Sequence, residues 1–326
     1  MNILFVKIGA IGDALMARGL PKEAKLRYPG CRFSWMAGRG IAPLVRLFEG
    51  VDDVLEVDEA ALFKGGWAAR AAALVRAAAA AGLRRRDLVL TGHSDGRYRL
   101  LTAATPARWR RSFREMPPKP GRYHGHEYVR LLTGEEEVGR IPLFAPLRGP
   151  GLSEALRSEL SGKGRALLLF PGGARNAMRD DPLRRWPLAN YRELARKASE
   201  AGWRIWLGGG VQDKGVRQDF VEVPHTDLIG RLSLPETLDL CATADAVVTH
   251  DSGPLHLAQA AGARTVALFG PTQPSTRLDP ASAGVALWGG AGLSCRPCYD
   301  GREYARCGDN VCLSRVSAGD VLAVLG

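Results

Sequence analysis

Residues 245–274, DAVVTHDSGPLHLAQAAGARTVALFGPTQP, decide the fold. Ala246-Val247-Val248-Thr249 is a short apolar run of strand type, and His250 to Pro254 is a turn whose side chains bind backbone or ligand. Leu255 to Ala261 reads as a helix. Thr265 to Phe269 is apolar again and ends in a second turn, Gly270-Pro271-Thr272. Such a unit sets the free N–H groups of a helix N-terminus at the carboxyl end of a strand, where open α/β sheets bind nucleotides and phosphates. A plain βαβ crossover with a polar turn is the competing reading, but Asp-Ser-Gly-Pro-x-His is unusual for a purely structural turn.

Working outward, the same alternation recurs on both sides. In the first half Ile3–Val6, Arg32–Met36, Asp53–Val57 and Leu88–Thr91 read as strands. Ala14–Arg27, Ile41–Phe48 and Trp67–Gly82 read as helices between them. Residues 115–150 break the rhythm with Pro117, Pro118, Pro120, Pro142, Pro146 and Pro150. Alternation resumes with Ala166–Phe170, Leu188–Ala201 and Arg204–Leu207. Leu234–Ala242 follows, with Ser233 and Glu236 forming a capping box, and Ser317 suits the N-cap of a last helix. The fold class is α/β: two Rossmann-like halves with mainly parallel sheets, residues 1–155 and 156–326, with a cleft between them.

Composition limits what the chain does. No apolar run reaches the roughly 18 residues of a membrane helix; Arg70 and Arg76 interrupt the Ala-rich stretch from Trp67 to Leu83, and Arg84, Arg85 and Arg86 follow it. The start, MNILFVKIGAIGD, reads as a first strand rather than a signal peptide, so the expected location is cytoplasmic, with reduced cysteines. Residues 1–150 hold 25 Lys and Arg against 15 Asp and Glu, and the rest of the chain holds 20 against 19. The excess of basic charge therefore sits in one half, which should meet something anionic. An Arg-rich codon bias is the bland alternative. It raises arginine everywhere, but it does not remove acids from one half only. No nucleic-acid motif accompanies the charge.

Three turns at strand ends in the second half have the chemistry of a ligand site. Pro171-Gly172-Gly173-Ala174-Arg175, with Arg184-Arg185-Trp186-Pro187 after it, combines close backbone approach with guanidinium groups suited to diphosphate oxygens. Gly208-Gly209-Gly210, then Gln212 and Asp213, suits a base or ribose. Ser252 and Gly253 offer N–H groups to phosphate, and His256 lies one turn into the following helix. At the start of the chain Gly9-x-x-Gly12 lacks the third glycine of a dinucleotide fingerprint, and Asp13 at the helix entry would repel a pyrophosphate. Asp13 is either a carboxylate placed to act as a general base or an N-cap worth about 1 kcal/mol.

Four blocks together resemble glycosyltransferase family 9, the ADP-heptose:lipopolysaccharide heptosyltransferases. They are Lys7 to Asp13; Pro171 to Ala174 with Arg185-Trp186-Pro187; Gly208-Gly209-Gly210-x-x-Asp213; and Asp251 to His256 with Leu268-Phe269-Gly270-Pro271-Thr272. The resemblance implies a GT-B fold of two facing Rossmann-like domains, and inverting transfer with no required cofactor. It makes Asp13 the general base. It gives the nucleotide-sugar, ADP-heptose, to Gly172, Gly173, Arg184, Arg185, Gly209, Gln212, Asp213, Asp251, Ser252, Gly253 and His256. It gives an anionic glycolipid acceptor to the first half, through Gly12 and the basic residues Arg97, Arg99, Arg108, Arg110 and Arg111, with peripheral contact to the inner face of the membrane. A solvated basic helix is the alternative for that cluster. Phe170 departs from the His that many members carry before Pro-Gly. The same fold acting on a protein or small metabolite, or serving as a non-catalytic binding module, is the alternative function.

Cys295-x2-Cys298-x8-Cys307-x4-Cys312 has spacing suited to a structural Zn²⁺ or iron site, and some protein heptosyltransferases similar to this family use such a loop for iron. Four reduced thiols in a packed loop are the other reading.

Overall fold

A computed structural model describes residues 1–82, 85–135, 145–175, 180–299 and 304–326. Leu83, Arg84 and Pro142 lie outside them. Two compact units divide at Ala145 and Pro146, ten residues before the boundary expected at 155. The reason is local. The Leu147 N–H donates to the Ala260 carbonyl, the Gly149 and Gly151 N–H groups donate to the Asp239 carboxylate, and Leu152 and Leu156 are buried. The segment that follows the Pro-rich stretch is therefore bonded into the second unit.

The first unit is built on β1 Asn2–Val6, β2 Arg32–Gly38, β3 Asp53–Val57, β4 Arg86–Thr91 and β5 Ala107–Ser112, in the order β3-β2-β1-β4-β5, every ladder parallel. β1 is covered on both faces, which is why it is apolar without interruption from Ile3 to Val6. On one face Leu4, Val6, Met36 and Val89 pack with Ala77 and Ala81 of the helix Trp67–Ala81. On the other, Phe5 meets Trp35 and Tyr128 edge-on, with centroids 4.7 and 5.9 Å apart.

Two expectations are corrected here. The helix expected over Ala14–Arg27 is split into Ile11–Met16 and Leu20–Arg27, and Pro21 sits in the first turn of the second piece, where a missing N–H costs nothing. The arginine-rich segment is neither a loop cluster nor a basic helix. Gly96–Thr102 is a 3-10 turn, and Ala107–Ser112 is the edge strand β5. Side chains alternate along a strand, so Arg108 and Arg110 take one face and Trp109 and Arg111 the other.

The second unit carries β6 Ala166–Phe170, β7 Arg204–Leu207, β8 Thr226–Asp227, β9 Ala246–His250, β10 Thr265–Phe269 and β11 Gly284–Trp288, in the order β11-β10-β9-β6-β7-β8, again all parallel. β6, β9 and β10 are buried throughout. Leu167, Leu169, Ile205, Leu207, Val248 and Leu268 pack with Tyr191 and Leu194 and with Leu313, Val321 and Leu325 from the chain end. The Ser233–Glu236 capping box forms, and Ser317 caps the last helix with Asp320.

Each sheet has one place where strand order reverses. In the first unit it lies between β1 and β4, and in the second between β6 and β9. Ligands of open α/β sheets bind outside the strand carboxyl ends at such points. Those ends carry Lys7 to Asp13 and Gly92-His93 in one unit, and Pro171-Gly172-Gly173 and Asp251-Ser252-Gly253 in the other.

Glu127 of the helix His124–Thr133 is wholly buried. It accepts from Arg130 Nε at 2.7 Å and from the Lys119 N–H at 3.1 Å, and Arg122 Nε lies 3.2 Å away. Glu127→Ala leaves Arg130 buried beside no anion, a loss of about 3–5 kcal/mol. Urea unfolding should show that drop, while Glu135→Ala, which breaks an exposed pair with Arg27, should move stability by less than about 1 kcal/mol.

Candidate functional site

In the second unit the site is assembled around buried charge. Asp251 follows β9 and is 2 % exposed. The Thr272 hydroxyl donates to its Oδ2 at 2.7 Å, and Arg184 Nη1 reaches the same oxygen at 3.4 Å. Burial pushes the carboxyl up, but Arg184, Arg277 and His256 outweigh it and bring its pKa to about 2. The Arg184 Nη2 also donates to Asp181 at 2.9 Å. Burial works against the guanidinium charge there, and Asp251, Tyr304 and Asp181 more than restore it.

Ser252 is the N-cap of the helix Gly253–Ala261, yet its hydroxyl turns back to the His250 carbonyl at 3.2 Å and makes no capping bond. The backbone N–H groups of Ser252 and Gly253 therefore begin a helix without a side-chain cap, the arrangement that suits an anion. His256 is buried in the first turn of that helix and close enough for its charge to act on Asp251.

Asp213 links two backbone turns. Its Oδ1 accepts from the Gly173 N–H at 3.0 Å and its Oδ2 from the Gly210 N–H at 2.9 Å. One carboxylate thus ties the Gly172-Gly173 turn to the Gly209-Gly210 turn, and Gln212 beside it is exposed. A side chain at Gly172 would place Cβ 2.4 Å from the Asp213 carboxyl carbon. Arg185 Nε donates to the Gly173 carbonyl at 2.9 Å and the same guanidinium pairs with Asp180, so Arg185 shapes the turn while Arg184 reaches Asp251. Phe170 is buried, with its ring under Gly208, where a Cβ would lie 2.4 Å from the ring.

In the first unit Asp13 is not an N-cap. Ala10 holds that position, and Asp13 sits in the first turn of Ile11–Met16 behind Gly12, which is buried. Lys7 Nζ lies 2.9 Å from its Oδ2, with the lysine side chain 6 % exposed and the aspartate 30 %. Lys7 is held in turn by the Gly92 carbonyl at 3.0 Å and stands over the Tyr128 ring. His93 completes the group. Its Nε2 accepts the Ile8 N–H at 3.2 Å, and its ring stacks on Tyr98, 3.6 Å between centroids and 3° from parallel. Burial and then the Lys7 charge hold its pKa well below 6.5, with Asp13 pulling the other way.

Sequence reasoning passed over Lys7 as a site residue, placed His250 only in a polar turn, and missed His93, Tyr98, Asp181 and Arg277 altogether. Asp181 was legible as an Asp three residues before Arg184. Tyr98 and Arg277 carry no local signal.

The acceptor arginines are each engaged by protein groups. Arg97 pairs with Asp95, and Arg99 with Glu115, all exposed. Arg108 lies over the Trp109 ring. Arg110 is taken up by the Thr102 and Thr105 carbonyls, at 3.0 and 2.5 Å, and Arg111 by the Leu131 and Leu132 carbonyls.

The cysteine loop is also not a formed metal site. Cys295 and Cys307 are exposed, Cys298 is half-buried, and Cys312 is buried in a short helix with its sulfur against Gly270. Burial raises the Cys312 thiol, and Cys298, Cys307 and Cys295 add to that, so the four share a neighbourhood. Among the described residues, however, no three His, Cys, Asp or Glu side chains are arranged to hold a metal ion.

The model of glycosyltransferase family 9 (heptosyltransferase) matches residues 152–305. The chain is similar to lipooligosaccharide heptosyltransferase 2 of Haemophilus influenzae, 24 % identical over 302 residues covering 84 % of each chain. Among solved structures it is similar to E. coli ADP-heptose lps heptosyltransferase II, with a TM-score of 0.74 and 21 % identity over all of this chain and 98 % of that one. It is also similar to an iron-containing dodecameric glycosyltransferase of enterotoxigenic E. coli, with a TM-score of 0.59 and 15 % identity over 99 % of this chain and 74 % of that one. The likeness to whole chains gives the fold, GT-B with two Rossmann-like units.

Buried charge in the second unit sets an acid limit on stability. His250 is wholly buried, its Nδ1 bonded to the Tyr191 hydroxyl at 3.1 Å, and burial followed by the Arg184 charge brings its pKa from 6.5 to about 3. The unfolded chain takes up that proton from about pH 6.5 downward, the folded chain only near 3. Stability should therefore be flat from this source above pH 6.5 and fall as the pH drops toward 3. Asp251 adds a further loss between 3.8 and about 2. Urea midpoints measured from pH 7 to 4 should slope for the native chain and lose part of that slope in His250→Asn.

Proposed function

We propose that the chain, whose residues 152–305 match the glycosyltransferase family 9 model, is a glycosyltransferase of that family and transfers heptose, with inversion, from ADP-heptose to an anionic acceptor in the lipopolysaccharide inner core. The observation that carries this is Asp13: a partly exposed carboxylate at the strand-order reversal of the first unit, oriented by buried Lys7.

In this reading Asp13 takes the proton of the acceptor hydroxyl. The freed oxygen forms a bond to the anomeric carbon of heptose, and the bond from that carbon to the diphosphate oxygen breaks. ADP leaves with the electron pair. The N–H groups of Ser252 and Gly253, with Arg184 and His256, meet the charge that develops on the diphosphate. Gly172, Gly173 and Gly209 let the nucleotide approach the backbone, with Asp213 and Arg185 fixing their turns and Asp251 fixing Arg184. Gln212 faces the ribose. Gly12 lets the acceptor approach Asp13, and Arg97, Arg99 and Arg108 draw in its anionic groups, while Arg110 and Arg111 hold the edge of the sheet. The acceptor is lipid-anchored, so the enzyme works at the cytoplasmic face of the membrane. Among the described residues no helix is long and apolar enough to cross a membrane.

Two measurements test this. Asp13→Asn should lower kcat by roughly 10²–10⁴-fold with ADP binding retained by calorimetry; unchanged transfer would remove Asp13 as base. The KM for heptose-free inner-core lipooligosaccharide should rise as salt is raised from 50 to 300 mM, because exposed charges more than about 10 Å apart are screened there. A KM indifferent to salt would separate the arginines from acceptor capture. The cysteine loop has its own assay, metal content after purification without chelator. About one iron or zinc per chain, lost in Cys298→Ser, would mean that the site forms on metal binding; a ratio near zero leaves four reduced thiols.

A further inference from the structure

His93 has a fixed tautomer and one open edge. A backbone N–H can only donate, so the 3.2 Å bond from Ile8 makes His93 Nε2 the acceptor and puts the ring proton on Nδ1. One ring face lies flat on Tyr98. Nδ1 is neither buried nor bonded among the described residues, and the residue as a whole is half-buried. The ring is close enough to Lys7 and Asp13 for both charges to act on it. It follows Gly92, whose carbonyl holds Lys7. At the end of β4 the chain therefore presents an N–H donor, aligned by a backbone bond and a stacked ring, beside the Asp13 carboxylate.

We propose that His93 positions the acceptor, its Nδ1–H donating a hydrogen bond to an oxygen of the acceptor sugar while Asp13 takes the proton of the reacting hydroxyl. This rests on the reading of Asp13 as base. Two features favour a positioning role over a second base. Nδ1 already carries a proton and has no lone pair to offer. Nε2 has a lone pair, but Ile8 occupies it. The ring therefore has one thing to give a substrate, a hydrogen bond from a neutral donor, and the Ile8 bond ties that donor to the same loop that carries Asp13. An oxygen held by His93 is thereby registered against the base.

Two amides divide the ring's functions. Glutamine places its amide near Nε2 and keeps an acceptor for Ile8; asparagine places its amide nitrogen near Nδ1 and keeps the donor. With ADP-heptose and heptose-free inner-core lipooligosaccharide, His93→Gln should raise the acceptor KM roughly tenfold, the loss of one hydrogen bond, with the ADP-heptose KM unchanged. His93→Asn should stay within about threefold of the native acceptor KM. The reverse order, with Gln native-like and Asn impaired, would mean that His93 only braces the Ile8 loop and would overturn the proposal, as would donor and acceptor KM rising together. Nitrogen-15 spectra of the unmutated enzyme give an independent reading. His93 Nδ1 should carry the proton and shift on addition of acceptor but not of ADP; a proton on Nε2, or no shift, overturns the proposal even if both variants fail to fold. Retained transfer in Asp13→Asn would fell the base and leave the His93 result standing by itself.

Discussion

In a parallel sheet whose strand order reverses, the chains leaving two neighbouring strands turn to opposite faces, and a gap is left above their carboxyl ends. The chemistry of this chain depends on that constraint, met once in each unit. Between β1 and β4 the gap receives the Lys7–Asp13 loop and His93. Between β6 and β9 it receives the Gly172-Gly173 turn and the Asp251-Ser252-Gly253 helix start. Neither location needs a special sequence to create it. It follows from strands apolar enough to be buried on both faces and from helical crossovers that force the parallel arrangement.

The two gaps are lined in opposite ways. In the second unit the charged groups are largely buried and tied to protein partners: Asp251 to Thr272 and Arg184, Arg184 to Asp181, Asp213 to two backbone N–H groups. Removing one partner of such a set strands the others in a low-dielectric interior, at about 3–5 kcal/mol. That gives a rigid frame around the backbone N–H groups of Ser252 and Gly253, the proposed anion contact. In the first unit the group proposed to do the work is the carboxylate itself. Asp13 keeps 30 % of its side-chain surface open while Lys7 behind it is buried. A base must be open to its substrate, whereas a diphosphate grip must be dry and stiff. The difference in burial suits the two tasks proposed for these sites.

The strands β1, β4, β6, β9 and β10 were legible because burial on both faces writes an uninterrupted apolar run, and the capping boxes because their bonds are local. β5 was not. As an edge strand it has no burial to advertise, and its Arg-Trp-Arg-Arg run looks like a charged surface until the alternation of a strand divides it. β11 is half-exposed for the same reason. Asp251, Ser252 and Asp13 were legible as types in a turn; what each touches was not, because Asp213 meets Gly173 forty positions away and His93 meets Ile8 eighty-five away. The Pro-rich stretch marks the region of the division but not which unit holds it. Proline and glycine mark loops, but Gly149 and Gly151 are bonded to Asp239, and a bonded loop belongs to the unit that holds it.

The basic excess of the first half also changes meaning once its partners are known. Arg110 and Arg111 are bonded to carbonyls rather than to carboxylates. A carbonyl uses up the directional donors of a guanidinium without cancelling its charge. Fewer of their donors are left for a ligand oxygen, while their charge remains in the field of the unit and still draws anions over about a Debye length. Arg97 and Arg99 are the converse, exposed groups paired with single carboxylates whose bonds cost little to exchange. Long-range attraction and short-range recognition are thus divided between different arginines. A count of charges in the sequence measures the first, and only the bonding pattern identifies the second.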